Sequence, residues 1–406
     1  MATESFSFMR DNLRKASNLP WLLFLATRAK FASRDPGLWV VSRRSGVGDG
    51  PLALAIEAKS VDPSIRIVWL TRDASDDQLA ISQGLEHVRR DSKDALQLCL
   101  RAGVGVMTNG FSDLRGPAIW GATTVQLWHG APLKKIGQDR LEPAGALRRL
   151  IRRVSSAFEK FWNRHYRYII AGSETTADRL TSAMAARNET VVVTGDPRMD
   201  LIPRLAAAAR LTLDALASER GIAGQRYVLI APTWRDGGEP MVLPDQASRD
   251  LISNDSQTIV FVRAHPHSAD IRSLVDMRNV IALPPDSFPD ITSMLGGFDV
   301  LMTDYSSIAM DFAPLERPII FAAPDLESYV ASPGLYEDYE SFTGSHWHRT
   351  WTGAFQCLND LRENIALQRE LAGISAAMGA RYHPNGMVGN ASRVLTLIRN
   401  SAVAPA

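Results

Sequence analysis

The stretch DVLMTDYSSIAMDFAPLERPIIFAA, residues 299–323, contains one complete strand–helix–strand pattern. Its two apolar runs, at 299–304 and 318–323, flank a polar turn and a helix-like segment. Continuous runs of Val, Ile and Leu are typical of parallel strands that are buried on both faces. A helix between two such strands is the repeating unit of α/β folds, so this stretch predicts a parallel sheet with helical crossovers.

Similar runs recur in two groups, which we interpret as the strands of two sheets. The first group is LWVVS (38–42), RIVWL (66–70), GVMT (105–108), TVQLW (124–128), YIIAG (168–172) and VVVTG (191–195). The second group adds YVLIAP (227–232), TIVFVRA (258–264) and NVIAL (279–283) to the two runs above. Between the groups lies GDPRMDLIPRLAAAARLTLDALASERG, which contains no strand-like run. We therefore predict two Rossmann-like, doubly wound domains, 1–203 and 204–380, facing across a cleft, with a final helix in 381–406 packing back toward the first.

The overall composition is that of a globular chain without a strong net field. Of 406 residues, 45% are hydrophobic and 22% charged, and the formal net charge is +1. This balance argues against a nucleic-acid partner. The two cysteines, Cys99 and Cys357, are too few for a disulfide framework and fit a reducing, cytoplasmic compartment. No signal peptide is evident, and the run LPWLLFLATRAKF is shorter than the roughly 20 apolar residues that a membrane span needs, so we expect no transmembrane helix.

One basic segment, at about 140–167, is predicted to be an amphipathic helix inserted in the first domain. From Lys134 to Arg167, ten Lys or Arg residues stand against three acidic ones. Apolar side chains recur there at helical spacing, with arginines on the other faces: Leu147, Leu150, Ile151, Val154, Phe158 and Phe161, against Arg148, Arg149, Arg152 and Arg153. The pattern is typical of a helix on a membrane surface, and equally of a surface helix packed on its own domain.

Polar side chains follow several predicted strands at the point where each strand ends, where ligands bind in sheets of this kind. The candidates for ligand contact are His129, Gly130, Thr233, Arg235, Arg263, His265, Asp304, Ser306, Ser307 and Asp311. Ser306 and Ser307 are predicted to cap the helix that starts there, and free N–H groups at a helix start bind anions. Asp311 lies one turn further on the same face and suits a ribose diol; a plain helix cap with a solvated aspartate is the alternative.

The histidines and arginines at these strand ends suggest phosphate chemistry. His129 suits a general base for a hydroxyl nucleophile, Gly130 gives a substrate room, and Lys134 and Lys135 suit an acceptor phosphate. A buried histidine with a backbone partner is the alternative for His129. Arg263 and His265 together suit a pyrophosphate, whereas Arg235 suits either phosphate or its neighbour Asp236.

Other kinds of site find no support in the sequence. His346 and His348 have no further ligands with zinc-site spacing, so we expect no metal site. The glycine-rich segment SRRSGVGDGP (42–51) follows a strand but matches neither the P-loop nor the dinucleotide-binding spacing, so we expect neither an ATPase nor a dehydrogenase. No cofactor is predicted.

Four segments together resemble the motifs of the CDP-glycerol glycerophosphotransferase family, which makes teichoic acid and capsular polymers of the cell envelope. They are VQLWHGAPLKKIG (125–137), APTWRD (231–236), RAHPHS (263–268) and LMTDYSSIAMDFAPLERPIIFAAPDLESY (301–329), and the resemblance spans roughly Trp39 to Val394. It implies a GT-B fold and transfer of a polyol phosphate, glycerol phosphate first, from a CDP-polyol to a hydroxyl of a lipid-linked or glycan acceptor. The reaction would release CMP at the inner face of the cytoplasmic membrane.

The resemblance also assigns roles to individual residues. It implies that His129 is the base, that His265 contacts the donor diphosphate, and that Asp304, Ser306, Ser307 and Asp311 bind the donor. Two alternatives remain open on the sequence. One is a GT-B glycosyltransferase that uses a nucleotide sugar, and the other is a non-catalytic, membrane-associated protein that binds a CDP-polyol.

Overall fold

The computed structural model describes residues 19–44, 46–140, 145–233, 244–263, 276–331 and 334–403. Two parallel sheets form its framework, which confirms the predicted α/β class. The first sheet has the strand order β3-β2-β1-β4-β5-β6-β7. Its strands are β1 Asp35–Val41, β2 Arg66–Thr71, β3 Glu86–Arg89, β4 Ala102–Met107, β5 Thr123–Gln126, β6 Tyr168–Ala171 and β7 Val191–Val193. The order reverses between β1 and β4, which opens a crevice at the carboxyl ends of these strands.

The second sheet repeats this arrangement with six parallel strands in the order β10-β9-β8-β11-β12-β13. Its strands are β8 Arg226–Ile230, β9 Thr258–Val262, β10 Val280–Ala282, β11 Val300–Thr303, β12 Ile319–Ala322 and β13 Trp347–His348. The order reverses between β8 and β11, so this sheet has a crevice of its own. Strands β11 and β12 are the two apolar runs of residues 299–323, and they pair in parallel as predicted.

Helices cover both faces of each sheet. Those associated with the first group of strands are α1 Leu19–Lys30, α2 Asp49–Val61, α3 Ala74–Ser82, α4 Lys93–Arg101, α5 Ala146–Asn163 and α6 Glu174–Met184. The later ones are α7 Leu201–Glu219, α8 Gln246–Asn254, α9 Ile308–Phe312, α10 Leu326–Ala331, α11 Tyr339–Thr343, α12 Trp351–Asp360, α13 Ile365–Tyr382 and α14 Asn390–Val403. Within the described ranges, none of these helices is long and apolar enough to cross a membrane.

Burial on both faces explains why the strands are continuously apolar. Along β11, Leu301 packs into one hydrophobic cluster, whereas Val300 and Met302 pack into another on the opposite face. In β1, Val40 and Trp39 are divided in the same way between two clusters. Alternate side chains of a strand point to opposite faces, so a strand covered on both sides has no position for a solvated residue.

Two helices connect the two halves of the structure. Helix α7 follows β7, and its buried Ile202, Ala209 and Leu213 belong to the cluster that supports the second sheet. Helix α14 returns the chain to the first half, where Val394 and Ile398 share a cluster with Trp39 and with side chains of α2. The chain therefore passes from the first half to the second before strand β8, and it returns to the first half after strand β13. The predicted domain boundaries remain predictions.

Helix α5 is the amphipathic helix of the basic segment. Its apolar side chains Leu150, Val154, Phe158 and Phe161 are 58%, 65%, 40% and 40% exposed. The Arg152 guanidinium turns back and donates to the carbonyl oxygens of Gln138 and Arg140, at 3.1 and 2.9 Å. The side chains of Leu147 and Arg148 lie outside the described part. Leu150 and Val154 are thus largely open to solvent, whereas the Phe161 ring also packs edge-on against Trp120 of the first half, with the ring centroids 6.1 Å apart.

Candidate active site

The carboxyl ends of strands from both sheets meet at one cleft of about 280 Å³. His129 follows β5 of the first sheet, whereas Arg263 follows β9 and Ser306 and Ser307 follow β11 of the second. The charged and polar residues that line the cleft are Arg43, Asp49, His129, Arg198, Arg263, Asp290, Thr292, Ser306, Ser307 and Asp311. The structure therefore brings five of the residues predicted from sequence, His129, Arg263, Ser306, Ser307 and Asp311, into one cavity.

His129 is held at the cleft by a strained turn. The preceding Trp128 has a positive φ of 59°, which is uncommon for a side chain with a Cβ atom, and its ring stacks on the imidazole at 4.3 Å. The ring Nδ1 lies 3.4 Å from the carbonyl oxygen of Thr108 at the end of β4. The imidazole is exposed to the cleft, but the surrounding walls remove it from bulk solvent, and this desolvation lowers its pKa below the ordinary 6.5.

Gly130 is required at its position by a neighbouring guanidinium. Its φ is 121°, and a Cβ atom there would lie 2.7 Å from Nη2 of Arg198. Most L-residues are excluded twice, by the backbone angle and by this contact. The space beside Gly130 is thus filled by Arg198, and a contact of Gly130 with a substrate remains a prediction.

Arg198 links the two halves at the centre of the cleft. Its Nε lies 2.8 Å from an oxygen of Asp196, and its Nη2 donates to Asp311 at 2.6 Å. Burial would lower the pKa of this guanidinium, but the carboxylates of Asp196 and Asp311 outweigh it and raise the pKa. Asp311 is only 3% exposed, which rules out the solvated aspartate considered from sequence, and its oxygen also lies 3.6 Å from Nε2 of His383.

Three carboxylates and three guanidinium groups line the cleft, namely Asp49, Asp290 and Asp311 with Arg43, Arg198 and Arg263. The buried Asp196 lies beside Arg198 and adds a fourth carboxylate next to the cleft. Burial raises the pKa of Asp196 to about 6 and also raises that of Asp290. The Asp290 carboxylate accepts a hydrogen bond from the backbone N–H of Asp49 at 2.8 Å, which ties the loop after β10 to the start of α2.

Ser306 and Ser307 lie half-buried in the cleft, but they cap the following helix only weakly. Ser307 precedes α9 and makes no side-chain capping bond, and Ser306 Oγ accepts from the N–H of Ile308 at 3.4 Å. The predicted capping is therefore wrong for Ser307, whose hydroxyl is not used by the helix backbone. Asp304 does not line the cleft, because its buried carboxylate accepts from the N–H groups of Thr233 and Tyr305, at 2.8 and 2.6 Å. It fixes the loop that carries Thr233 against the loop that carries Ser306.

Arg263 lines the cleft from the second sheet. Its Nη1 donates to the carbonyl oxygens of Leu283 and Phe288, at 3.1 and 2.5 Å, and burial lowers its pKa. These bonds hold the guanidinium plane against the loop that leads to Asp290. His265, Arg235 and the neighbouring Asp236 lie outside the described residues, so the predicted roles of His265 and Arg235 stay predictions.

Lys134 is not among the residues that line the cleft. Its backbone forms a bridge with Leu335, and its Nζ lies 5.5 Å from the centre of the Tyr329 ring. The backbone N–H of Lys135 donates to Gly334 at 3.0 Å. Residues 134–135 therefore pack against the second half, beside the cleft, and a substrate contact of Lys134 remains a prediction.

Four residues that line the cleft were not predicted from the sequence, namely Arg43, Asp49, Arg198 and Asp290, and neither was His383, which is buried beside Asp311. Arg43 and Asp49 lie in the glycine-rich segment after the first strand, so strand-end position alone was a usable signal for them. Arg198 lies in GDPR, directly after the last strand of the first sheet, where the same signal applied. No local pattern marks Asp290 or His383. Among the described residues, no group of three or more His, Cys, Asp or Glu side chains is arranged to hold a metal ion.

Comparison with known proteins relates this chain to enzymes of teichoic acid synthesis. It is 28% identical over 288 residues to a teichoic acid poly(glycerol phosphate) polymerase of Bacillus spizizenii, covering 68% of this chain and 70% of that protein. It is 26% identical over 224 residues to the teichoic acid ribitol-phosphate polymerase TarL of Staphylococcus aureus, covering 54% and 38%. The chain thus spans well under half of TarL, and its match with TarK of the same organism covers 42% of that protein.

Solved structures confirm the fold. The wall teichoic acid polymerase TagF superposes with a TM-score of 0.72 at 18% identity, covering 97% of each chain, and a variant of TagF has been solved with CDPG soaked in. The predicted GT-B fold is therefore confirmed. The family model for CDP-glycerol:poly(glycerophosphate) glycerophosphotransferase matches residues 22–383. This chain, with its cleft between two Rossmann-like sheets, belongs to that glycerophosphotransferase family.

Proposed function

We propose that the protein transfers a polyol phosphate, glycerol phosphate first, from a CDP-polyol to a hydroxyl of a lipid-linked or glycan acceptor, with release of CMP. The reaction would serve teichoic acid or capsular polymer synthesis. One observation carries the proposal: His129 of the first half shares a cleft with Arg263, Ser306 and Ser307 of the second. A proton acceptor thus faces a set of phosphate-binding groups, as an attack on phosphorus by a hydroxyl requires.

His129 suits the role of general base. With its proton on Nδ1, the ring donates toward the Thr108 carbonyl, and the lone pair of Nε2 remains for the acceptor hydroxyl. The lowered pKa keeps the imidazole neutral at physiological pH. As the acceptor oxygen forms its bond to the distal phosphorus, Nε2 takes the proton. The bond between that phosphorus and the bridging oxygen breaks, and CMP leaves with the bonding electrons.

The second half supplies the groups for the donor diphosphate. Arg263 presents a guanidinium, and Ser306 and Ser307 present hydroxyls. Positive and hydrogen-donating groups offset the charge that develops on the phosphoryl oxygens. By resemblance to the family, His265 joins this set.

The test is incubation of the purified protein with CDP-glycerol, CDP-ribitol and a panel of nucleotide sugars, each with a lipid-linked acceptor. We expect CMP release and a product heavier by one or more polyol phosphates. Transfer of a sugar instead, with release of the sugar's nucleotide, would establish the glycosyltransferase alternative. Tight binding of CDP-glycerol without CMP release would establish a non-catalytic binding protein.

We propose further that the protein works in the cytoplasm, peripherally bound to the inner face of the membrane through α5. Four apolar side chains on this helix are exposed, while Arg149 and Arg153 are exposed on the same helix. Exposed apolar groups next to cations are what an interfacial helix presents to anionic lipid. A lipid-linked acceptor would then reach the cleft from the membrane surface.

A further inference from the structure

Arg198 is a buried side chain that contacts both the loop carrying His129 and the helix that follows Ser306 and Ser307. We infer that Arg198 is a positioning residue, which fixes His129 relative to Ser306 and Ser307. The inference rests on the proposed transfer reaction, because it concerns how the two reacting groups are brought into line. Arg198 is 3% exposed.

On the side of the first sheet, Arg198 is anchored by its own turn. It lies in the 3-10 turn Pro197–Asp200 that follows β7, where its Nε meets Asp196 at 2.8 Å. The guanidinium then lies against Gly130, the residue after His129, so closely that a Cβ atom would come within 2.7 Å. Any shift of this plane therefore reaches the backbone that carries the base.

On the side of the second sheet, the same guanidinium reaches Asp311. Their 2.6 Å contact joins residues 113 positions apart in sequence. Asp311 lies in α9, which begins directly after Ser306 and Ser307. A contact that fixes the carboxylate of Asp311 therefore also fixes the start of this short helix and the two serines before it. Both partners are buried, and loss of one would leave the other as an uncompensated charge.

The planar fork of arginine explains why this residue type is needed. One edge meets Asp196 and another meets Asp311, while the plane fills the space beside Gly130. A lysine ammonium carries the same charge but is a single point on a flexible stem, so it cannot hold both carboxylates in this geometry. Misplacement of reacting groups by about 1 Å can cost about 100-fold in rate.

The first experiment is Arg198→Lys, with steady-state kinetics on CDP-glycerol. We expect kcat to fall about 10- to 100-fold while the KM for the donor changes less than about threefold, since alignment and not donor affinity is lost. Arg210→Lys is the matched control, because Arg210 also lies between two carboxylates, Asp214 at 3.6 Å and Asp299 at 3.0 Å, but away from the cleft. The control should keep its kcat.

A second variant, Asp311→Asn, keeps the side-chain shape and weakens the bridge from the other end. It carries the test if Arg198→Lys does not fold. We expect a similar loss of kcat, and a double variant no slower than the slower single one, because both changes break one contact. Unchanged kcat in either single variant, or a rise in KM with kcat retained, would overturn the inference in favour of donor binding alone.

A third measurement needs no turnover. Spin labels on cysteines introduced at the exposed positions Lys59 and Glu363 report the distance between the two halves, since Cys99 and Cys357 are buried. We expect a broader distance distribution in Arg198→Lys than in the wild type and in Arg210→Lys. An unchanged distribution would contradict the inference. Absence of CMP release by the wild type would instead count against the proposed function, while the distances would still test Arg198.

Discussion

Nδ1 of His129 lies 3.4 Å from the carbonyl oxygen of Thr108, so the end of strand β4 supports the ring from behind. This contact orients the other ring nitrogen toward the cleft, where a substrate hydroxyl would lie. We expect His129→Ala to lower transfer by about 10²- to 10⁴-fold, because a positioned general base typically contributes that much.

The measurement is CMP release, with CDP-glycerol binding followed separately by calorimetry. Donor binding should survive, since the groups that we propose to bind the donor phosphates belong to the other half. His87→Asn is a suitable control, because His87 is a half-buried histidine at the edge strand β3. Full turnover by His129→Ala would disprove the base assignment.

The pH dependence of kcat/KM should reveal the environment of His129. Desolvation lowers its pKa below 6.5, and only the neutral ring can accept a proton. Activity should therefore be lost as the pH falls through a value below 6.5, about tenfold per unit beyond it. A pH–rate profile in overlapping buffers measures this limb, and a limb at or above 6.5 would contradict the desolvated environment.

Arg263→Gln should weaken donor binding more than it slows the chemical step. A hydrogen bond to a charged group contributes about 1.5–3 kcal/mol, so we expect a loss of about tenfold or more in affinity for CDP-glycerol by calorimetry. Arg226→Gln controls for the loss of a carbonyl contact, because Arg226 donates to Leu358 at 3.0 Å from the start of β8. Equal affinities of the two variants for CDP-glycerol would contradict the proposed contact between Arg263 and the donor phosphates.

Ser307→Ala separates ligand binding from helix capping. Since Ser307 makes no capping bond, the free energy of unfolding in urea should change by less than about 0.5 kcal/mol, while donor affinity falls. Ser92→Ala is the comparison, because Ser92 accepts from the N–H of Ala95 at 3.0 Å, and loss of such a cap costs about 1 kcal/mol. Unchanged donor affinity in Ser307→Ala would count against its proposed contact.

Membrane attachment through α5 is testable with vesicles that contain phosphatidylglycerol. Leu150→Gln combined with Val154→Gln should abolish flotation, because burial of these side chains in lipid is lost. Ile81→Gln with Leu211→Gln is the matched control, since these residues are 56% and 69% exposed on other helices. Equal flotation of both double variants would make α5 an ordinary surface helix.

The sequence predicted the fold well because the strands are buried on both faces. RIVWL at 66–70 corresponds to β2 and TIVFV at 258–262 to β9, each a continuous apolar run. Two strands escaped, and each lies at the edge of its sheet: β3, which reads EHVR, and β13, which has only two residues. An edge strand is buried less and need not be apolar, so periodicity does not reveal it.

The site was predicted only where chemistry follows directly from strand ends. His129 and Ser306 were found in this way, and both lie in the cleft. The partner of Asp311 was missed, because Arg198 lies 113 positions away and their contact depends on how the two halves meet. A position after a strand does not always mean a ligand contact, as Asp304 shows. Its position suggested such a contact, whereas its carboxylate accepts hydrogen bonds from the backbone N–H groups of Thr233 and Tyr305.

Helix α14 has a consequence for the order in which the protein is made. Asn390 and Ala391 donate to the carboxylate of Asp200, and Val394 is fully buried among side chains of the first half. A nascent chain therefore cannot complete the helical layer of its first sheet until residues 390–403 have left the ribosome. Contacts of such long sequence separation slow folding. The half synthesised first is thus finished last, and chaperones would meet it with the apolar surface under α14 uncovered.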